Sequence, residues 1–94
     1  MTYKLAFNES ALKEWKKLGH TLQVQFKKKL KERLENPRVP ASQLHGRKDQ
    51  YKIKLRGAGY RLVYRVEDDI VTVTVIGVGT RENDDIYNAT LHRN

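Results

Sequence analysis

The 94-residue chain contains no cysteine, two prolines and one tryptophan. Without thiols it has no disulfide staples and no thiolate site for zinc or an iron–sulfur cluster. Its three histidines, His20, His45 and His92, are too scattered to give a metal-ligand spacing. No apolar run approaches the roughly 20 residues that span a bilayer, and the N-terminal MTYKLAFNES lacks the apolar stretch of a signal peptide. The expected setting is the cytosol, with no membrane partner. Acids are scarce too: 11 Asp and Glu face 19 Lys and Arg, a formal charge of +8. Such an excess attracts polyanions and says nothing about fold. A chain of this length buries about 60 to 65% of its unfolded surface, enough for one core. With no repeat and no linker, one domain over residues 1–94 is expected.

The surplus is unevenly placed. Residues 1–50 hold twelve Lys and Arg against five acids, while residues 51–94 hold seven against six. Five of those seven, Lys52, Lys54, Arg56, Arg61 and Arg65, lie between Tyr51 and Arg65 with no acid among them. The segment YKIKLRGAGYRLVYR reads as two strands and a turn. A type II′ turn at Gly57-Ala58 makes opposed residues sum to 115, so Lys54 faces Arg61, Leu55 faces Tyr60, Ile53 faces Leu62 and Tyr51 faces Tyr64. Lys52, Lys54 and Arg61 then share one face, and the apolar residues with the tyrosines share the other. Packing like charges together costs self-repulsion, which points to a polyanionic partner. Taken singly, Lys52 and Lys54 are ordinary solubilising residues of an exposed strand. Tyr51, Tyr60, Tyr64 and Trp15 read as core rather than base-stacking side chains.

Elsewhere, Tyr3, Leu5 and Phe7 alternate with polar or small neighbours as a short strand. Asn8 or Ser10 caps a helix that carries Leu12, Trp15 and Leu18 and stops at Gly19. A second helix runs from about Thr21 to Glu35, with Leu22, Phe26, Leu30, Arg33 and Leu34 on one stripe, and ends at Pro37. Lys27, Lys28, Lys29 and Lys31 form its other side, either a solvated helix face or a phosphate-contacting surface. Residues 36–50 read as a loop with one helical turn near Ala41 to Leu44. Ile70 to Val78 is a β-branched central strand, Gly77 and Gly79 let the chain bend as it leaves the sheet, and Asp84 to His92 form a frayed terminal helix. The expected class is α+β, in the order β-α-α-β-β-β. It comprises a mainly antiparallel four-stranded sheet, two helices on one face and a short mobile C-terminal helix.

A basic face can serve RNA cleavage. The reaction needs a 2′-hydroxyl deprotonated, a pentacoordinate phosphate stabilised and a 5′-oxygen protonated. No histidine lies on the hairpin, so lysine would have to act, which requires its pKa of about 10.4 to fall toward neutrality. A second cation about 6 Å away, at an effective dielectric of about 20, opposes the charged form by roughly 2.8 kcal/mol, about two pKa units. Bound phosphates push the other way.

Four segments, ALKEWKKLG, the lysine-rich helix, YKIKLRGAGYRLVYRV and VIGVGTRENDDIY, give the chain a resemblance over nearly its whole length to the RelE toxins of the RelE/ParE toxin–antitoxin superfamily. The resemblance implies a bacterial, cytoplasmic endoribonuclease, an mRNA interferase that cuts messenger RNA in the ribosomal A site. It would use neither metal nor cofactor, and a RelB-like antitoxin would silence it and carry it to operator DNA as a complex. The family's catalytic set falls on Lys52, Lys54, Arg61, Arg81 and Tyr87, with every residue type kept. By that likeness Lys54, assisted by Lys52, handles the 2′-hydroxyl proton, with Tyr87 as the competing base or a stacking platform for a codon base. Arg61 and Arg81 hold the scissile phosphate. Arg81 has surface pairing with Glu82 or Asp84 as its plain alternative. Candidate contacts to messenger and 16S ribosomal RNA are Lys27, Lys28, Lys29, Lys31, His45, Arg47, Lys48, Arg56 and Arg65, His45 standing where relatives often carry arginine. Two other readings are a ParE-like gyrase poison, a branch that generally lacks this set, and a non-catalytic RNA-binding module. The chain has neither the aromatic strand motif of an RRM nor the GxxG loop of a KH domain.

Overall fold

The structure is a computed structural model that describes residues 2–55, 57–80 and 85–90. Its elements are β1 (Lys4–Phe7), α1 (Glu9–Lys16), α2 (His20–Glu35), β2 (Gln50–Leu55), β3 (Tyr60–Glu67), β4 (Thr72–Thr80) and α3 (Asp85–Thr90). Short 3-10 turns at Pro40–Ser42 and Asp68–Ile70 lie in the connections before β2 and β4. The α+β class and element order match expectation. The sheet is mixed, in the order β1-β4-β3-β2, because β1 pairs parallel to β4 while the other two pairings are antiparallel. No helix among the described residues is long and apolar enough to cross a membrane.

Local chemistry accounts for the helix ends. Asn8 caps α1, its Oδ1 accepting the Ala11 N–H at 2.7 Å. Gly19 does not stop α1 as expected. Lys17 is the C-cap, and Gly19, at φ −64°, is the N-cap of α2, so no left-handed residue is used there. The apolar stripes of both helices land on one sheet face. Ala11, Trp15, Phe26 and Leu30 close over Tyr51, Ile53, Leu55, Leu62, Tyr64, Val66, Val73, Val75 and Val78. Full burial of a large apolar side chain in such a core contributes about 1.5 to 3 kcal/mol. Leu12, expected on the apolar stripe, is exposed, and Ala11 takes its place. The tyrosines belong to this core as expected: Tyr51 and Tyr64 stack at 5.7 Å, and Tyr60 packs at its margin.

The hairpin register is the predicted one, with Lys54 opposite Arg61, Ile53 opposite Leu62 and Tyr51 opposite Tyr64. The turn differs. The Leu55 carbonyl accepts from both Ala58 and Gly59, and the positive φ, 68°, sits on Gly59 rather than on the Gly57 that a type II′ turn requires. A longer loop thus delivers the register of a two-residue turn.

β4 contains the feature that shapes the opposite face. Its register against β3 slips between Val63, which faces Gly77, and Tyr64, which faces Val75, leaving Ile76 as an extra residue. Strict alternation would put Gly77 and Gly79 toward the helices and Val78 away from them. The bulge inverts that parity: Val78 joins the helix-side core, while Gly77 and Gly79 share the far face with Val63 and Arg61. Phe7 pairs with Val75, the last rung of β1 against β4, and farther along that edge the Val78 N–H is satisfied by the Glu14 carboxylate of α1 at 3.0 Å. The far face is covered by a second cluster, Leu44, Val63, Ile76 and Ile86 with Tyr87 against it. The terminal helix therefore lies on the side of the sheet opposite α1 and α2.

Candidate active site

Two cross-strand rows define the far face. One runs Lys52, Val63, Gly77 and the next runs Lys54, Arg61, Gly79. Opposed residues on one face have Cβ atoms about 5 Å apart, so Lys54 and Arg61 form a like-charge pair that a stability-driven sequence avoids. Lys52 follows about 6.6 Å along β2. Because β4 contributes a glycine to each row, no β4 side chain stands directly opposite Val63 or Arg61, and the bulged Ile76 packs against Val63 from beside the rows. Ile86 of α3 settles over Gly79, where an added Cβ would meet its side chain at 3.4 Å. The face is thus cationic on its β2 side and apolar where α3 crosses β4.

Exposure differs among the expected catalytic residues. Lys54 is exposed, Lys52 half-buried, and Arg61 only 7% exposed. Among the described residues, the Arg61 guanidinium donates to the Tyr60 carbonyl at 3.2 Å and pairs with no carboxylate. A guanidinium carries five N–H donors, and an enclosed charge is costly unless an anion meets it. Tyr87 is half-buried against the far-face cluster. Arg81, Arg56, Glu82 and Asp84 lie outside the described residues, so the geometry speaks to four of the five candidates.

Strand β2 is held from the helix side by Arg33. Its guanidinium donates to the Tyr64 hydroxyl at 2.9 Å, the Ser42 hydroxyl at 3.1 Å and the Lys52 carbonyl at 3.3 Å. Tyr64 in turn donates to the Pro37 carbonyl at 2.6 Å. Burial pushes the Tyr64 phenol above its ordinary pKa, with Arg33 acting in the opposite direction. Arg33 was legible as part of the α2 stripe; its anchoring of the lysine strand was not.

The candidate RNA contacts do not form one surface. Successive helical residues are about 100° apart, so Lys27 and Lys31 share a side of α2 while Lys29 points away from them. Lys29 instead lines two adjoining cavities, about 610 and 290 Å³, that both reach Lys54; the smaller also touches Arg33 and Lys52. Among the described residues, no acid lines either cavity. His45 and Lys48 are exposed in the loop before β2. Arg65 is held by Glu67 at 3.3 Å. Arg47 turns inward onto α3, a use that nothing in its local sequence announces. Among the described residues, no group of three or more His, Asp or Glu gathers to hold a metal.

Comparison with known proteins bears on this arrangement. The sequence matches the family described as ParE toxin of type II toxin-antitoxin system, parDE, over residues 5–85. It is 56% identical over 93 residues to the mRNA interferase toxin RelE of Escherichia coli, covering 99% of this chain and 98% of that protein. The chain belongs to the RelE/ParE toxin family. Among solved toxins of this family, a mutant E. coli RelE in the free state superposes with a TM-score of 0.90 at 55% identity, covering 97% of this chain and 96% of that one. The toxin–antitoxin complex RelBE of E. coli gives a TM-score of 0.81 at 60% identity over 83% of this chain and 95% of the matched chain.

Proposed function

We propose that this chain is the toxin of a type II toxin–antitoxin system, an endoribonuclease that cuts messenger RNA in the ribosomal A site. The observation that carries the reading is Arg61: nearly enclosed, opposite Lys54, and without a carboxylate partner among the described residues. A scissile phosphate supplies the missing anion, and arginine's planar fork suits its oxygens. The near-full-length similarity to RelE, named an mRNA interferase toxin, supports the same chemistry.

In this reading Lys54, with Lys52 beside it, takes or holds the 2′-hydroxyl proton, and Tyr87 is the competing base. Arg61 and Arg81 stabilise the charge that builds on the phosphate, each such donor contributing about 10² to 10³ in rate. Arginine's pKa above 12 makes Arg81 an electrostatic group rather than an acid. The ribosome positions the strand and is the partner for Lys27, Lys28 and Lys31 of α2 and for Lys48 in the loop before β2. A RelB-like antitoxin is the cellular inhibitor, in keeping with the complexes solved for RelE, and the bacterial cytoplasm, where ribosomes are, is the site of action.

Incubating the purified chain with programmed ribosomes and mapping RNA 5′ ends tests the reading directly. Cuts confined to the A-site codon are expected. Intact RNA with gyrase-linked DNA breaks would establish the ParE-like alternative, and ribosome binding without cuts would establish a non-catalytic RNA-binding module.

A further inference from the structure

We propose that Arg47 is a positioning residue that clamps α3 to the sheet and thereby holds Tyr87 at the active face. The proposal rests on the catalytic reading of Tyr87 given above, and the clamp itself can be judged independently of it.

The need for a clamp follows from length. The described part of α3, Asp85–Thr90, is far shorter than the about 12 to 15 residues at which an isolated helix becomes stable in water, so it relies on what it touches. On one side Ile86 packs over Gly79 and beside Leu44, Val63 and Ile76. On the other side, Arg47 meets the helix at Tyr87 and Thr90. One terminal nitrogen of its guanidinium donates to the Thr90 hydroxyl at 2.9 Å and to the Gln50 side-chain carbonyl at 3.0 Å, and the other donates to the Tyr87 main-chain carbonyl. Thr90 is fully buried, and its hydroxyl also engages the Ile86 and Tyr87 carbonyls. A single cation thus joins the start of β2 to both Tyr87 and Thr90 of α3.

The geometry of the loop favours this use. Gly46 adopts φ 75°, a left-handed turn, directly before Arg47, and the Arg47 N–H donates to the Leu44 carbonyl. Leu44 itself is part of the cluster under α3. The same loop therefore supplies the apolar seat and the polar clamp. Lysine cannot reproduce the arrangement, since its point charge does not span acceptors fixed in a fork.

The test compares Arg47→Met, Arg47→Lys and the milder Thr90→Val with Tyr87→Phe, using hydrogen exchange of residues 86–90 in the free chain and single-turnover cleavage on programmed ribosomes. Arg47→Met is expected to speed exchange of α3 by about tenfold or more, the loss of charge-assisted hydrogen bonds. It should lower the cleavage rate to near that of Tyr87→Phe, with little further loss in the double variant and no change in ribosome affinity or its salt slope. Arg47→Lys should recover part of both losses, and Thr90→Val should show both at smaller size. Unchanged exchange in Arg47→Met and Thr90→Val overturns the clamp. Faster exchange with undiminished cleavage overturns the positioning role. Weaker binding with a salt slope lower by about one makes Arg47 a phosphate contact instead. Full activity of Tyr87→Phe removes the role of Tyr87, and with it the positioning claim, while the exchange result still decides the clamp.

Discussion

Replacing Arg33 by methionine keeps the aliphatic stem of the side chain and removes the cation that ties α2 to β2. Three donated bonds vanish, to Tyr64, Ser42 and the Lys52 carbonyl, together with a guanidinium lying 5.8 Å from the Tyr64 ring centroid. Hydrogen bonds from a charged group contribute about 1.5 to 3 kcal/mol each when buried. This site is only partly buried, so water replaces the missing donor at Ser42 and at the strand edge, and the net cost is about 2 to 3 kcal/mol. For a chain of this size, each 1 kcal/mol moves Tm by about 4 to 8 °C, so a fall of about 8 to 24 °C is expected. Tyr64→Phe leaves the buried Pro37 carbonyl without its donor and costs about 1 to 3 kcal/mol. Because the two side chains bond each other, the double variant should lose less than the sum, with a coupling of about 1 kcal/mol. Urea melts of the four proteins measure this cycle. Additivity within about 0.3 kcal/mol, or an Arg33→Met loss below about 0.5 kcal/mol, would refute the argument that Arg33 holds the lysine strand through Tyr64.

Arg61→Met should lower single-turnover cleavage by about 10² to 10³ while leaving ribosome affinity nearly unchanged; a parallel fall of both would make Arg61 a docking residue. Paired replacement of Lys27 and Lys31 by glutamine should weaken ribosome binding and reduce the salt slope by about 0.7 to 1 for every phosphate the pair neutralises, whereas Lys29→Gln, beside Lys54, should act mainly on cleavage. Equal effects from all three would restore a single lysine surface. The Tyr3 hydroxyl, bonded at 2.7 Å, and then Arg38 hold the Asp68 carboxyl below its usual pKa. That group therefore stabilises the fold above its unfolded value of about 3.9 and loses the contribution as pH falls through the lower folded one. The difference in melting temperature between wild type and Asp68→Asn should be present at pH 7 and close below about pH 4; a pH-independent difference would contradict the linkage. Val71 has φ 48°, a left-handed conformation costing a β-branched residue roughly 1 to 2 kcal/mol, so Val71→Asn should raise Tm by about 4 to 8 °C, and a lowered Tm would show that its packing outweighs the strain.

The hairpin was legible because two independent signals agree in one short segment. Alternation fixes which residues share a face, and the spacing across Gly57, Ala58 and Gly59 fixes which oppose one another. The turn type was not legible, since several loops deliver one register and only the chain's path selects Gly59 for the left-handed position. The strand at Ile70 to Val78 was recognisable from its β-branched run, but its bulge was not. An extra residue leaves no mark in a sequence where Val73, Val75, Ile76 and Val78 all suit burial. The role of the glycines changes with it: instead of easing the chain out of the sheet, Gly77 and Gly79 lie within β4 and keep its part of the far face low.

The same division holds for the cations. The sequence by itself determined that a positive face exists and that Lys52, Lys54 and Arg61 share it, because strand period and charge count are local properties. The tertiary structure decided how each cation is used: Arg61 enclosed, Lys29 parted from Lys27, Arg65 paired with Glu67, Arg33 anchoring β2 and Arg47 seated under α3. These assignments depend on interactions between residues as much as 43 positions apart. A guanidinium's partners are set by where the backbone brings carbonyls and hydroxyls together, and that placement exists only once the sheet has formed.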